Sequence, residues 1–167
     1  MNNVLEMLEK SAKKYPNKIA FIDEKSKISF KSLLILSKKA ASALESGAVA
    51  VYMKKSCNAL AIMLASIQAG GFYSVIDPSL PAQKKVNMCE ILNAVAVVCD
   101  DELFEGAKEL FSDFLVLKAS DILQTKINEN KLTKIRANHI STDILYCNFT
   151  SGSTGVPKGV VINHASV

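Results

Sequence analysis

From Ala48 to Leu117 the chain alternates between two patterns, and that alternation restricts its fold more than any other feature. Short apolar runs of strand length fall at Ala48 to Met53, Phe72 to Ile76, Val95 to Val98 and Phe114 to Leu117. Between them lie stretches with helical spacing. Strands that are apolar throughout are covered on both faces, and strands that alternate with amphipathic helices pack as parallel β-α-β units. The expectation is an α/β fold, a mostly parallel sheet with helices on both faces.

The flanks extend this pattern. Val4, Leu5 and Leu8 share a helical stripe that ends near Pro16. Ile19 to Ile22 and Ile28 to Phe30 read as two short strands joined by the Asp23 to Ser26 turn. Apolar positions 33, 34, 36, 40, 41 and 44 give Lys31 to Glu45 a helical period, stopped by Gly47. Ser56, or Cys57 with Asn58, is placed to cap a helix running to Ala69. Ala59 to Ile76 is the most apolar region, but Gln68, Gly70 and Gly71 interrupt it, so it reads as a buried helix followed by a strand and not as a membrane span. Pro81 opens a helix through Asn93, and Asp100 to Glu102 place negative charge at the start of a short one. Residues 120–143 are polar and unpatterned and read as an exposed connector. Asp143 begins another strand. The expected organisation is an α/β subdomain over 1–119, a connector over 120–143, and a strand–loop–strand unit over 144–167 that starts a further portion.

That last unit carries the chemistry. Tyr146 to Val161 packs glycines at 152, 155 and 159, the hydroxyls of Thr150, Ser151, Ser153 and Thr154, and Lys158 between two apolar runs. Glycines let main-chain N–H groups converge on an anion. Short hydroxyls add donors at little entropic cost, and a lysine supplies a point charge for a terminal phosphate. Pro157 stiffens the closure. Phe149 and Val160 are expected to anchor the two ends in apolar surroundings. The Walker A pattern fails, because Val156 follows Gly155 and Gly159 follows Lys158. Val160 to Ile162 continue as a strand, so the site is strand–loop–strand.

Phe149-Thr150-Ser151-Gly152-Ser153-Thr154-Gly155-Val156-Pro157-Lys158-Gly159 resembles the signature loop of the adenylate-forming enzymes, with Phe149 where the family usually has Tyr. Gln68 to Pro81 is similar to the AGGAYVPIDPxxP segment of amino-acid-activating members, with Ser74-Val75 in place of Val-Pro. Ile28 to Leu34 is similar to the LTYxEL segment. The likeness covers essentially the whole chain. It implies the N-terminal part of an AMP-forming ligase, closest to adenylation domains of nonribosomal peptide synthetases and D-alanine–carrier-protein ligases. It also implies ATP and Mg²⁺, an amino acid or other small carboxylate as substrate, and a phosphopantetheine carrier protein or coenzyme A as thiol partner. Thr150, Ser151, Gly152, Ser153, Thr154, Gly155 and Lys158 would bind the nucleotide phosphates. The family's catalytic lysine and ribose-binding aspartate lie downstream of this loop, so no catalytic residue is expected here. A fragment inactive alone, needing the remainder of the enzyme, is the expectation. A non-catalytic nucleotide-binding module, half of a split enzyme, and an acyl-CoA synthetase stay open.

Composition narrows the partners. The chain has no Trp and 7% aromatic residues, which argues against a base-stacking platform and nucleic acid. Net charge is +4, and the densest cationic stretch, Lys10, Lys13, Lys14 and Lys18, lies on a helix with Glu6 and Glu9 and reads as a solvated face. At 49% hydrophobic the chain can bury a sizeable core, with some apolar surplus left on the surface. Cys57, Cys89, Cys99 and Cys147 follow no metal spacing, so no metal site is expected, and unpatterned thiols fit a reducing cytoplasm. The first residues show no signal-peptide pattern. His139 reads as a surface residue, His164 as a cap and packing residue, and Asp77 as a turn former before Pro78.

Overall fold

The computed structural model describes residues 3–150 and 157–167. Helix α1 (Leu5–Lys14) buries Leu5, Leu8 and Ala12 and leads into an antiparallel hairpin of β1 (Ile19–Ile22) and β2 (Lys27–Ser29). Helix α2 (Phe30–Ala43) starts one residue earlier than its apolar period suggests. The Ser29 hydroxyl accepts from Ser32 N–H at 3.2 Å, and this cap draws Phe30 out of the strand and into the helix. Strand β3 (Ala48–Tyr52) is buried throughout. Helix α3 (Cys57–Gln68) is capped by Ser56, which accepts from Ala59 N–H at 3.1 Å. Then come β4 (Phe72–Val75), α4 (Ala82–Leu92) after Pro81, β5 (Ala96–Cys99), a 3₁₀ turn at Asp101–Leu103, α5 (Phe104–Leu110) and β6 (Val116–Lys118).

Residues 120–143 depart from expectation. Helix α6 (Ala119–Ile122) runs into them, and α7 (Glu129–Ala137) occupies their middle. Helix α7 buries only Leu132, which explains why no apolar period announced it. Polar contacts hold it instead. Asn128 caps it by accepting from Lys131 N–H at 3.0 Å, Lys131 Nζ donates to Leu44 O at 2.6 Å, and Arg136 grips both carboxylate oxygens of Glu9 on α1 at 3.1 and 3.2 Å. A two-pronged Arg–carboxylate pair fixes orientation as well as distance.

Strands β7 (Ile144–Thr150) and β8 (Lys158–Asn163) finish the sheet, followed by a 3₁₀ turn at His164–Ser166. The sheet order is β6-β5-β3-β4-β7-β8, parallel except for the antiparallel β7–β8 pair. Because side chains alternate along a strand, β3 feeds two cores. Val49 and Val51 meet α2, α3 and α6 through Leu33, Ile62 and Ile122 on one face. Ala50 and Tyr52 meet Met88, Cys89 and Phe111 on the other. Leu5, Ile67 and Leu145 form a third, small cluster that seats α1 against α3 and β7. The mostly parallel sheet with helices on both faces matches the sequence expectation.

Candidate functional site at the mouth of the β7–β8 hairpin

Thr150 is the last residue of β7 and Lys158 the first of β8, and the two are register partners. Thr150 Oγ1 donates to Lys158 O at 3.4 Å, so the hairpin closes at its mouth through one rung. Among the described residues the Lys158 ammonium has no carboxylate partner, and its side chain is exposed. Pro157 beside it is buried. Ser151, Gly152, Ser153, Thr154 and Gly155 lie outside the described residues. The mouth opens at the carboxyl end of β7, which is also the carboxyl end of its parallel neighbours, the edge where open α/β sheets bind ligands.

Phe149 anchors its side of the hairpin as expected, packing with the cluster around Tyr52 and Phe111. Val160 does not, since it is 46% exposed. Gly159 has an ordinary backbone, and the space around it explains the residue: an added Cβ would sit 3.0 Å from Cys147 Sγ and 3.6 Å from the Phe149 ring.

Asp77 is a turn residue, as its sequence context suggests. Its Oδ1 accepts from Ser79 N–H and Ser79 Oγ, each at 2.8 Å, and those bonds hold the carboxyl below its usual range. Lys85 was not singled out by the sequence. It is 7% exposed, and its Nζ donates to Pro78 O at 3.1 Å and to the Tyr52 hydroxyl at 3.4 Å, which ties α4 to the Asp77–Pro78 turn and the end of β3. A lysine on a helix face carries no sequence mark of burial, so this contact had no signal.

All four cysteines are free and buried. Desolvation pushes Cys89 to about 12 and Cys99 to about 11, and raises Cys147, so these thiols stay protonated and unreactive. Among the described residues no cluster of His, Cys, Asp or Glu can hold a metal, and no helix is long and apolar enough to cross a membrane. Lys13, Lys14 and Lys18 are solvated, as expected, and Lys10 pairs with Glu6 at 3.6 Å. His139 differs from expectation: it is half-buried, and its Nδ1 is enclosed without a partner among the described residues.

The chain belongs to the AMP-binding enzyme family, whose pattern it matches over residues 8–167. It is 37% identical over 118 residues to nonribosomal peptide synthetase otaB of Aspergillus carbonarius, covering 71% of this chain and 6% of that protein. It is 30% identical over 168 residues to bacitracin synthase 1 of Bacillus licheniformis, covering 97% of this chain and 3% of that protein. The N-terminal subdomain of NpsA from Klebsiella oxytoca, solved with 3-hydroxybenzoyl-AMSN, superposes with a TM-score of 0.77 at 22% identity, over 98% of this chain and 41% of that one. The chain therefore spans a small part of the curated relatives it matches.

Proposed function

We propose that this chain is the N-terminal part of an ATP-dependent, AMP-forming ligase that activates an amino acid or related carboxylate. The substrate carboxylate attacks the α-phosphate of ATP, which gives an acyl-adenylate and releases pyrophosphate. A carrier thiol, on a phosphopantetheine arm or coenzyme A, then attacks the acyl carbonyl and AMP leaves. Family membership, together with the eleven-residue loop from Phe149 to Gly159, carries this reading. The amino-acid class follows from the peptide synthetases among its relatives.

Thr150, Ser151, Ser153 and Thr154 would donate to the β- and γ-phosphate oxygens, Gly152 and Gly155 would bring N–H groups close, and Lys158 would offset the charge that grows on departing pyrophosphate. The exposed ammonium of Lys158, with no carboxylate partner among the described residues and a hydroxyl beside it at the mouth of the hairpin, fits a phosphate group. Mg²⁺ would accompany the nucleotide and share that neutralisation. The role of these loop residues would be to bind and position phosphate.

The test is amino-acid-dependent ATP–pyrophosphate exchange by the protein isolated at its native length from source cells. Exchange with one amino acid or aryl acid above all others is expected, and exchange with none overturns the reading. Lys158→Ala should weaken ATP binding about 10- to 100-fold, the loss of one charged hydrogen bond of roughly 1.5–3 kcal/mol. The 167-residue chain alone should show no exchange.

A further inference from the structure

Asn3 and His164 lie 161 positions apart in sequence and meet at the root of the β7–β8 hairpin, opposite its mouth. Both are buried, at 1% and 3% exposure. The Asn3 carbonyl oxygen is engaged by Leu5 N–H at 2.9 Å, which turns the Asn3 amide nitrogen toward His164 Nε2 at 3.2 Å. On the other side of the ring, Val4 N–H points at Nδ1 from 3.3 Å. Both neighbours are donors. A neutral imidazole has one nitrogen able to accept, so its two tautomers serve the two donors in turn, and an imidazolium serves neither. The main chain completes the join: His164 N–H donates to Asp143 O at 3.2 Å and Ala165 N–H to Ser141 O at 2.8 Å. The first turn of α1 is thereby clasped to both strands of the hairpin.

We infer that neutral His164 is a positioning residue that clasps the start of α1 to the root of the β7–β8 hairpin and so makes the placement of Thr150 and Lys158 dependent on its protonation. The functional half of this inference rests on the reading of residues 150–158 as a phosphate site.

The surroundings favour the neutral ring. A cleft of about 400 Å³ beside His164 is lined by His139, Thr142 and Asp143. Desolvation holds His164 below the ordinary imidazole range, His139 pushes the same way, Asp143 opposes and Arg136 of α7 again lowers it. Helix α1 brings Glu9, which acts on His139 and is already paired with Arg136. The strand ends across the cleft, at Gly47 and from Gly70 to Phe72, carry no titratable group, nor does Ile67 of α3. The folded value thus lies below the unclasped one of about 6.5, so the clasp is at full strength above that pH and weakens as pH falls through it toward the folded value.

Hydrogen exchange of the Val4 and Leu5 amides, corrected for intrinsic pH dependence, tests this on the chain at about pH 7.5 and about pH 5.5, either side of the ordinary imidazole value. Val4 protection should fall by up to about tenfold at the lower pH, the limit set by one proton and an unclasped value of about 6.5, with shifts of the Thr150 and Lys158 amide resonances. His164→Asn keeps an acceptor near the Nδ1 position without a proton to gain, and should hold Val4 equally at both pH values. Unchanged protection in the natural chain, or the same fall in His164→Asn, overturns the inference. Should that variant fail to fold, an NMR titration of the His164 ring decides, and a midpoint at or above about 6.5 overturns it. Pyrophosphate titrated into the same samples near neutral pH separates the two ideas: a clasped Val4 with no pyrophosphate binding removes the phosphate-site reading and leaves the clasp standing.

Discussion

Gly71 to Ala should damage this fold more than its one added carbon suggests. A Cβ built on Gly71 would lie 1.9 Å from the Gly47 carbonyl oxygen, 2.7 Å from Gly47 N and 2.8 Å from Gly47 C. All three are backbone atoms, so no side-chain rotation relieves the overlap. Restoring an ordinary contact of roughly 3.5 Å means parting the chains by about 1.6 Å. That movement falls where Phe72 N–H donates to Gly47 O at 3.1 Å, the bond that starts the β3–β4 pairing, and where Gly71 N–H donates to Ser66 O at 3.0 Å at the end of α3. Overpacking costs about 1–3 kcal/mol and a buried polar group left unpaired about 1–3 kcal/mol, so the expected loss is roughly 2–6 kcal/mol. Against a total stability of about 5–15 kcal/mol, that is a large share. Gly106 is the internal control. It lies inside α5 with no atom within 4 Å of an added Cβ, so Gly106→Ala should stabilise by about 0.5–1 kcal/mol through helix propensity alone. Urea unfolding followed by far-UV circular dichroism reads both, since the chain has no Trp. A Gly71→Ala midpoint matching the natural chain would refute the close-approach argument.

Leu132→Ala should cost about 2–5 kcal/mol in the same assay, because Leu132 is the one residue α7 buries; a connector free of the core would lose nothing. Asp23 should govern part of the acid sensitivity. Its carboxylate accepts from Cys57 N–H at 2.7 Å at the start of α3, and from Lys25 N–H at 2.8 Å, and these bonds hold it far below its usual range of about 3.8. Its contribution is present above the unfolded value and lost as pH falls below it. Urea midpoints of the natural chain and Asp23→Asn should therefore differ near neutral pH and converge in strong acid, and parallel profiles would count against this cap.

The sheet was legible from its apolar strands, the helix over 30–43 from the apolar period within it, and the helix over 57–68 because Ser56 sits where a cap is needed. What escaped was held by polar contacts between distant residues. Helix α7 depends on Lys131 reaching Leu44 O and Arg136 reaching Glu9, 127 positions away, and no local period records such pairs. The burial of Lys85 depends on Tyr52 and Pro78 standing near it in space. His164 reads locally as a cap, and it acts on Asn3 and Val4 at the other end of the chain. The candidate phosphate loop rests on residue types and their spacing, since glycines, hydroxyls and a lysine close together suit an anion.

The hairpin would let the proposed phosphate loop work without the helix that anchors a P-loop. A helix offers an anion its N-terminal N–H groups, and a hairpin has none to offer. It offers registration instead. Seven residues separate Thr150 from Lys158, yet the β7–β8 ladder brings them to one rung, so the closure entropy of the intervening loop is offset by pairing and not by ligand binding. Registration is only as good as the root of the ladder. There the pairing is irregular between Ile144 and Tyr146, and β7 meets β4 through a single register pair, Tyr73 with Tyr146, whose rings stack at 5.8 Å. A short parallel contact leaves the hairpin in need of a second attachment. The contacts of Asn3 and Val4 with His164, and of His164 with Asp143, supply it from the opposite end of the strands. A loosened root would shift Lys158 relative to the parallel strand ends while leaving every loop residue chemically intact.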